Sequence, residues 1–107
     1  MNQNYCIILT TFESENQSLP VIDKLIEERL VACIQIMPIK SKYFWDGAVC
    51  CDNEVLVFMK TKESLYERVK EMILDLHPYE TPEVLKPDIA DGSKSYLDWI
   101  KDVTVHE

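Results

Sequence analysis

The two runs on either side of Asp46-Gly47 are longer than the rest of this chain can cover. Leu30–Trp45 and Val49–Thr61 are rich in strand formers, and Asp-Gly between them signals a two-residue hairpin turn, since both central residues must take positive φ. From Ala32 to Trp45 the arm would extend roughly 46 Å at about 3.3 Å per residue. A compact domain of this size has a radius of gyration of only about 13 Å. The arm's tip carries Tyr43, Phe44, Trp45 and Val49, an apolar end that is aggregation-prone in water. A second copy of the same chain is the simplest cover, so an oligomer is expected.

Pairing across the turn sorts the arm's faces. Trp45 falls opposite Ala48, and counting back puts Ala32 opposite Thr61. Ile34, Ile36, Val55, Val57 and Met59 then share the face beneath the helices, and Cys33, Gln35, Glu54, Phe58 and Lys60 share the other. Pro38 is expected to force a bulge that exchanges the faces beyond it.

Around the hairpin, Tyr5–Phe12 reads as a buried strand. Leu19, Ile22, Leu25, Ile26 and Leu30 recur at helical spacing. Ser18 is the expected cap of that helix, because it leaves Pro20 in the first turn, whereas Ser14 would put Pro20 inside. Thr61 or Glu63 leads into a second helix with Leu65, Val69, Met72, Ile73 and Leu76 on one face, ending before Pro78. Glu83–Ile89 is a fourth strand, and Ser93 caps a last helix through Tyr96, Leu97, Trp99 and Ile100. The order β-α-β-β-α-β in a single domain, residues 1–107, predicts an α+β ferredoxin-like sandwich with a long hairpin between its second and third strands and an extra C-terminal helix.

A net charge of −8 argues against binding nucleic acid or anionic membrane, which both require positive charge. No apolar run approaches the ~20 residues that span a bilayer, and no secretory signal is visible, so a cytoplasmic location is expected. There Cys6, Cys33, Cys50 and Cys51 stay reduced, and with no C-x-x-C pair they read as small hydrophobes.

The segment His77-Pro-Tyr-Glu-Thr-Pro-Glu83 is the richest in chemistry. His77 with Glu80 or Glu83, helped by Cys33, offers the imidazole and carboxylate ligands that suit Cu²⁺ or Zn²⁺. Pro78 and Pro82 keep these residues off one helix face, so weak affinity is expected. The same prolines make a rigid elbow, with His77 at the C-terminal end of the second helix. No nucleophile–base–orienter set is recognisable, and no enzyme activity is expected.

Leu30-Val-Ala-Cys-Ile34, Tyr43-Phe-Trp-Asp-Gly47, Lys60-Thr61, His77 to Glu83, and Gly92-Ser-Lys-Ser-Tyr-Leu-Asp-Trp99 together resemble, in order and spacing, the CutA family of divalent-cation tolerance proteins. The resemblance covers nearly the whole chain. It implies a tight homotrimer joined through the hairpin arms, similar to the PII signalling proteins, and a loose link to copper and other divalent ions without an established reaction. In that assembly Tyr43, Phe44, Trp45, Val49 and Trp99 form the interface. Some bacterial members carry a cysteine and a second histidine proposed to ligate copper; Thr10 and Leu76 stand at the matching positions here. The alternative implied by the PII likeness is a trimeric small-molecule sensor or protein-binding scaffold. Its pocket, at the subunit boundary, would use Lys60 and His77 against an anion, with Tyr43, Trp45 and Tyr79 stacking on a ring and Glu83 orienting it.

Overall fold

The computed structural model describes residues 3–106. Strand β1 (Tyr5–Phe12) leads into helix α1 (Glu15–Glu27), and the hairpin β2 (Cys33–Trp45) and β3 (Ala48–Lys62) follows. A 3-10 turn, Glu63–Leu65, opens into α2 (Tyr66–Leu76), then come β4 (Asp88–Ile89) and α3 (Lys94–Val103). The strands pair antiparallel in the order β2-β3-β1-β4, which is the ferredoxin-like sandwich expected from the pattern of elements.

One face of the sheet makes the core. Cys6, Ile8 and Phe12 from β1 and Val57 and Met59 from β3 pack against Val21, Ile22 and Leu25 of α1 and Val69 and Ile73 of α2. Ile34, Ile36 and Val55 lie at its margin, on the face the register assigns them. Thr10 points to the same side of β1; its fully buried hydroxyl has no hydrogen-bond partner among the described residues. On the other face Ile7, Leu9, Leu56 and Phe58 are half-buried, and Met37 and Leu85 are exposed.

The turn is as the sequence requires: Asp46 and Gly47 both have positive φ, 55° and 80°. Trp45 pairs with Ala48 and Cys33 with Lys60, so the expected register holds along the whole arm. The bulge at Pro38 is absent, and Pro38 pairs with Val55 in an unbroken ladder. The reason is position: β2 is an edge strand, where a missing N–H costs no ladder bond. Beyond Val55 the arm leaves the helices behind, and the molecule measures 47 Å along one axis against 25 and 20 Å across.

Two boundaries differ from expectation. Helix α1 begins a turn earlier, capped by Ser14, whose hydroxyl accepts from the Gln17 N–H at 3.2 Å, and Pro20 lies inside it. Ser18 is instead buried, its hydroxyl donating to the Glu15 carbonyl at 2.6 Å. The fourth strand is shorter than Glu83–Ile89. Leu85 exchanges both bonds with Leu9, and regular pairing resumes only at Asp88, since Pro87 lends a carbonyl but has no N–H to give. The C-terminal end of α1 is tied to α3. Arg29, at φ 56°, donates from Nε to the Val103 carbonyl at 2.8 Å and accepts from the Val105 N–H at 2.9 Å.

Candidate functional site

Apolar positions four apart carry α2 as far as Leu76, and Pro78 then forces His77 out of the helix, to φ −70° and ψ 135°. The His77 N–H still closes the helix on the Ile73 carbonyl at 2.8 Å. Its ring turns back over the end of β1 and stacks on Phe12, with centroids 4.2 Å apart and planes within 10°. Nδ1 accepts from the Tyr79 N–H at 3.1 Å, so it carries no proton. The proton is on Nε2, which donates to the Thr11 carbonyl at 2.7 Å.

This arrangement fixes a neutral imidazole. Burial lowers the His77 pKa, opposed by the Thr11 carbonyl and by Glu54. The sign follows: the folded pKa lies below the unfolded value of 6.5, so the unfolded chain binds more protons between the two. Stability is complete above about pH 6.5 and falls on acidification through that window. Between pH 7.5 and 5 the wild-type thermal midpoint should drop a few degrees more than that of His77→Gln; parallel curves would remove His77 as the cause.

The same contacts bear on metal binding. Both ring nitrogens of His77 are spent on backbone groups. Cys33 lies opposite Lys60 on the edge strand, four residues along β3 from the Leu56 that pairs with Thr11, about 13 Å away. Glu80 and Glu83 are exposed on the segment after the elbow. Among the described residues, no three His, Cys, Asp or Glu side chains gather as a ligand set, so His77, Glu80, Glu83 and Cys33 do not converge within one chain.

A different grouping forms past the elbow. Tyr43, Trp45, Tyr79, Glu80 and Thr81 line a cavity of about 220 Å³ between the hairpin arm and the segment after α2. The Tyr79 hydroxyl donates to Glu54 Oε2 at 2.6 Å, and the Tyr43 hydroxyl donates to Asp52. Hydrogen bonding to Asp52 pushes the Tyr43 pKa up to about 12, and burial followed by the Glu54 bond raises that of Tyr79. Tyr43, Trp45 and Tyr79 are thus brought together as the sequence suggested.

Lys60 is not with them. It reaches Tyr96 of α3, with Nζ 3.3 Å from the hydroxyl and 5.4 Å from the ring centroid. Tyr96 in turn leans on Trp99 at 5.5 Å. Glu54, Asp52 and Thr81 were not singled out as site residues. The register signals the first two, since Tyr43 pairs with Cys50 and so shares a face with both.

The expected interface residues fall into two exposed sets. Phe44 (81% exposed), Val49 (61%), Tyr43 and Trp45 occupy the tip, and Trp99 lies on α3, where Tyr96, not among the expected residues, is exposed beside it. Lys60, beside Tyr96, pairs with Cys33, twelve residues along β2 from Trp45, so the two sets lie about 40 Å apart along the ribbon.

Comparison with known proteins finds relatives by sequence and by fold. The family model described as CutA1 divalent ion tolerance protein matches residues 6–103. A divalent-cation tolerance protein CutA from Thermus thermophilus is 39% identical over 99 residues, covering 92% of this chain and 96% of its own. The crystal structure of CutA1 from Oryza sativa superimposes with a TM-score of 0.92 at 33% identity, covering 97% of this chain and 96% of that one. A structure from Archaeoglobus fulgidus, described as a periplasmic divalent cation tolerance protein CutA, superimposes at 0.89 with 30% identity, covering 92% and 97%.

Proposed function

The chain belongs to the CutA1 divalent ion tolerance protein family, and from that premise we propose that it serves divalent-cation tolerance as a homotrimer that binds metal weakly and catalyses no reaction. The observation that carries the trimer is the pair of exposed aromatic sets at opposite ends of a rigid ribbon. Surfaces that far apart cannot cover each other within one chain. Laid head to tail, the tip of one copy meets α3 of the next, and a rotation that closes such contacts gives a ring.

Weak metal binding fits the acidic surface and the occupied imidazole. Cu²⁺ and Zn²⁺ are held through carboxylates such as Glu80 and Glu83, without His77 unless Nδ1 gives up the Tyr79 N–H. Calorimetry should therefore give micromolar or weaker affinity that His77→Ala leaves unchanged. A tight site lost with His77 would overturn this. What supports the reading without catalysis is that the imidazole and both phenols of the site are committed to hydrogen bonds.

The cytoplasm is the compartment we assign, because the adjacent Cys50 and Cys51 present opposite faces of β3 and are free, as are Cys6 and Cys33. A second reading, a trimeric sensor or scaffold of the PII kind, is favoured by one observation, the aromatic cavity at Tyr43, Trp45 and Tyr79.

A further inference from the structure

Resting on that small-molecule reading, we propose that the cavity at the root of the hairpin tip binds a small alkylammonium ion. Three aromatic residues, Tyr43, Trp45 and Tyr79, and one carboxylate, Glu80, supply most of its lining. Aromatic faces attract a desolvated cation through the ring quadrupole, and a group of them with a nearby carboxylate suits an alkylated ammonium, which needs few hydrogen-bond acceptors. At about 220 Å³ the space is below that of a drug-sized pocket, roughly 300–1,000 Å³. A small ion fits where a nucleotide does not.

Two further features set the sign of the ligand. Each phenol donates its proton to a carboxylate, Tyr79 to Glu54 and Tyr43 to Asp52. A phenol that donates to an anion holds more electron density in its ring, which strengthens its attraction for a cation. The register also sorts charge between the faces of the arm. Asp52 and Glu54 pair with Ser41 and Ile39 on the same face as Tyr43 and Trp45, whereas Lys40 and Lys42 fall on the opposite one. Among the described residues no lysine or arginine of the same chain lines the cavity, and Lys60 of that chain, about 33 Å away along the ribbon, holds its ammonium on Tyr96.

The test uses the assembled protein as purified, at constant ionic strength. Choline is the probe, and its uncharged isostere, with carbon in place of the quaternary nitrogen, is the control. Calorimetry or saturation-transfer NMR should show choline binding at least about tenfold tighter than the isostere. Glu80→Gln, an isosteric change at an exposed position, should weaken choline severalfold and leave the isostere unaffected. Tyr79→Leu should weaken both. Equal affinity for choline and isostere would overturn the ammonium assignment and leave a small-molecule site standing. Choline binding undiminished in both variants would place the cation elsewhere and overturn it too. If neither probe binds and ring-bearing anions fail as well, the cavity is no ligand site and both readings fall.

Discussion

Replacing Phe12 with alanine is expected to lower the unfolding free energy by about 3–5 kcal/mol, the most damaging single truncation in this core. Phe12 is fully buried, the last residue of β1, and it belongs to the cluster formed with α1 and α2. Removing its ring leaves a cavity that the sheet cannot collapse to fill, because β1 is held between β3 and the segment from Leu85 to Ile89. The loss reaches beyond packing. Phe12 is the surface on which the His77 ring lies, and that ring connects the Thr11 carbonyl to the Tyr79 N–H. Without it the elbow loses its seat, and Tyr79 moves with it. The substitution should therefore also weaken whatever the aromatic cavity binds. In a double-mutant cycle with His77→Ala the effects should fall short of additivity by about 1 kcal/mol. Denaturant midpoints compared at one protein concentration measure both quantities. A loss below about 1 kcal/mol for Phe12→Ala would mean that the two helices carry the fold without this residue.

The fold was legible in the sequence where backbone chemistry is local. Asp46-Gly47 required one turn type, the turn set the register, and the register set both faces of the arm. The errors lie where tertiary position overrules a local rule. Pro38 breaks a ladder only if its strand has neighbours on both sides, and nothing local says that β2 is the edge. Ser14 and Ser18 are both competent caps. Ser14 is the cap, and Ser18 is buried within the helix with its hydroxyl on the Glu15 carbonyl. The elbow at His77-Pro78 was readable from the end of an apolar helix face followed by proline. The fate of the imidazole was not, since its partners Thr11 and Phe12 are more than sixty residues away in sequence. Lys60 is the instructive case. The hairpin register separates it from Tyr43 by ten residues, so the two do not share a pocket within one chain and meet only where the tip of one copy reaches another, the subunit boundary at which the pocket was expected.

Phe44→Ser combined with Val49→Ser is expected to turn the proposed particle of three chains into single chains at micromolar concentration. The two side chains face each other across the last pairs of the hairpin, 81% and 61% exposed in the isolated chain. Burying both against a neighbour contributes roughly 3–6 kcal/mol per arm at ~1.5–3 kcal/mol per apolar side chain. In the proposed trimer, where three arms close one ring, their removal should raise the dissociation constant by several powers of ten. The change is confined to assembly, because neither residue belongs to the core cluster and both lie on the face of the arm opposite Tyr43 and Trp45. Sedimentation equilibrium should read three chain masses for the wild type and one for the variant, with the far-ultraviolet circular dichroism unchanged. The variant should also melt at a midpoint independent of concentration, whereas the wild-type midpoint rises with concentration. A single-chain wild type would remove the reason for so long an arm, and a variant that stays trimeric would move the interface to the open sheet face around Met37, Phe58 and Leu85. Either result separates the arm from assembly without touching the ferredoxin-like core, since the residues that hold each subunit together lie on the other side of the sheet.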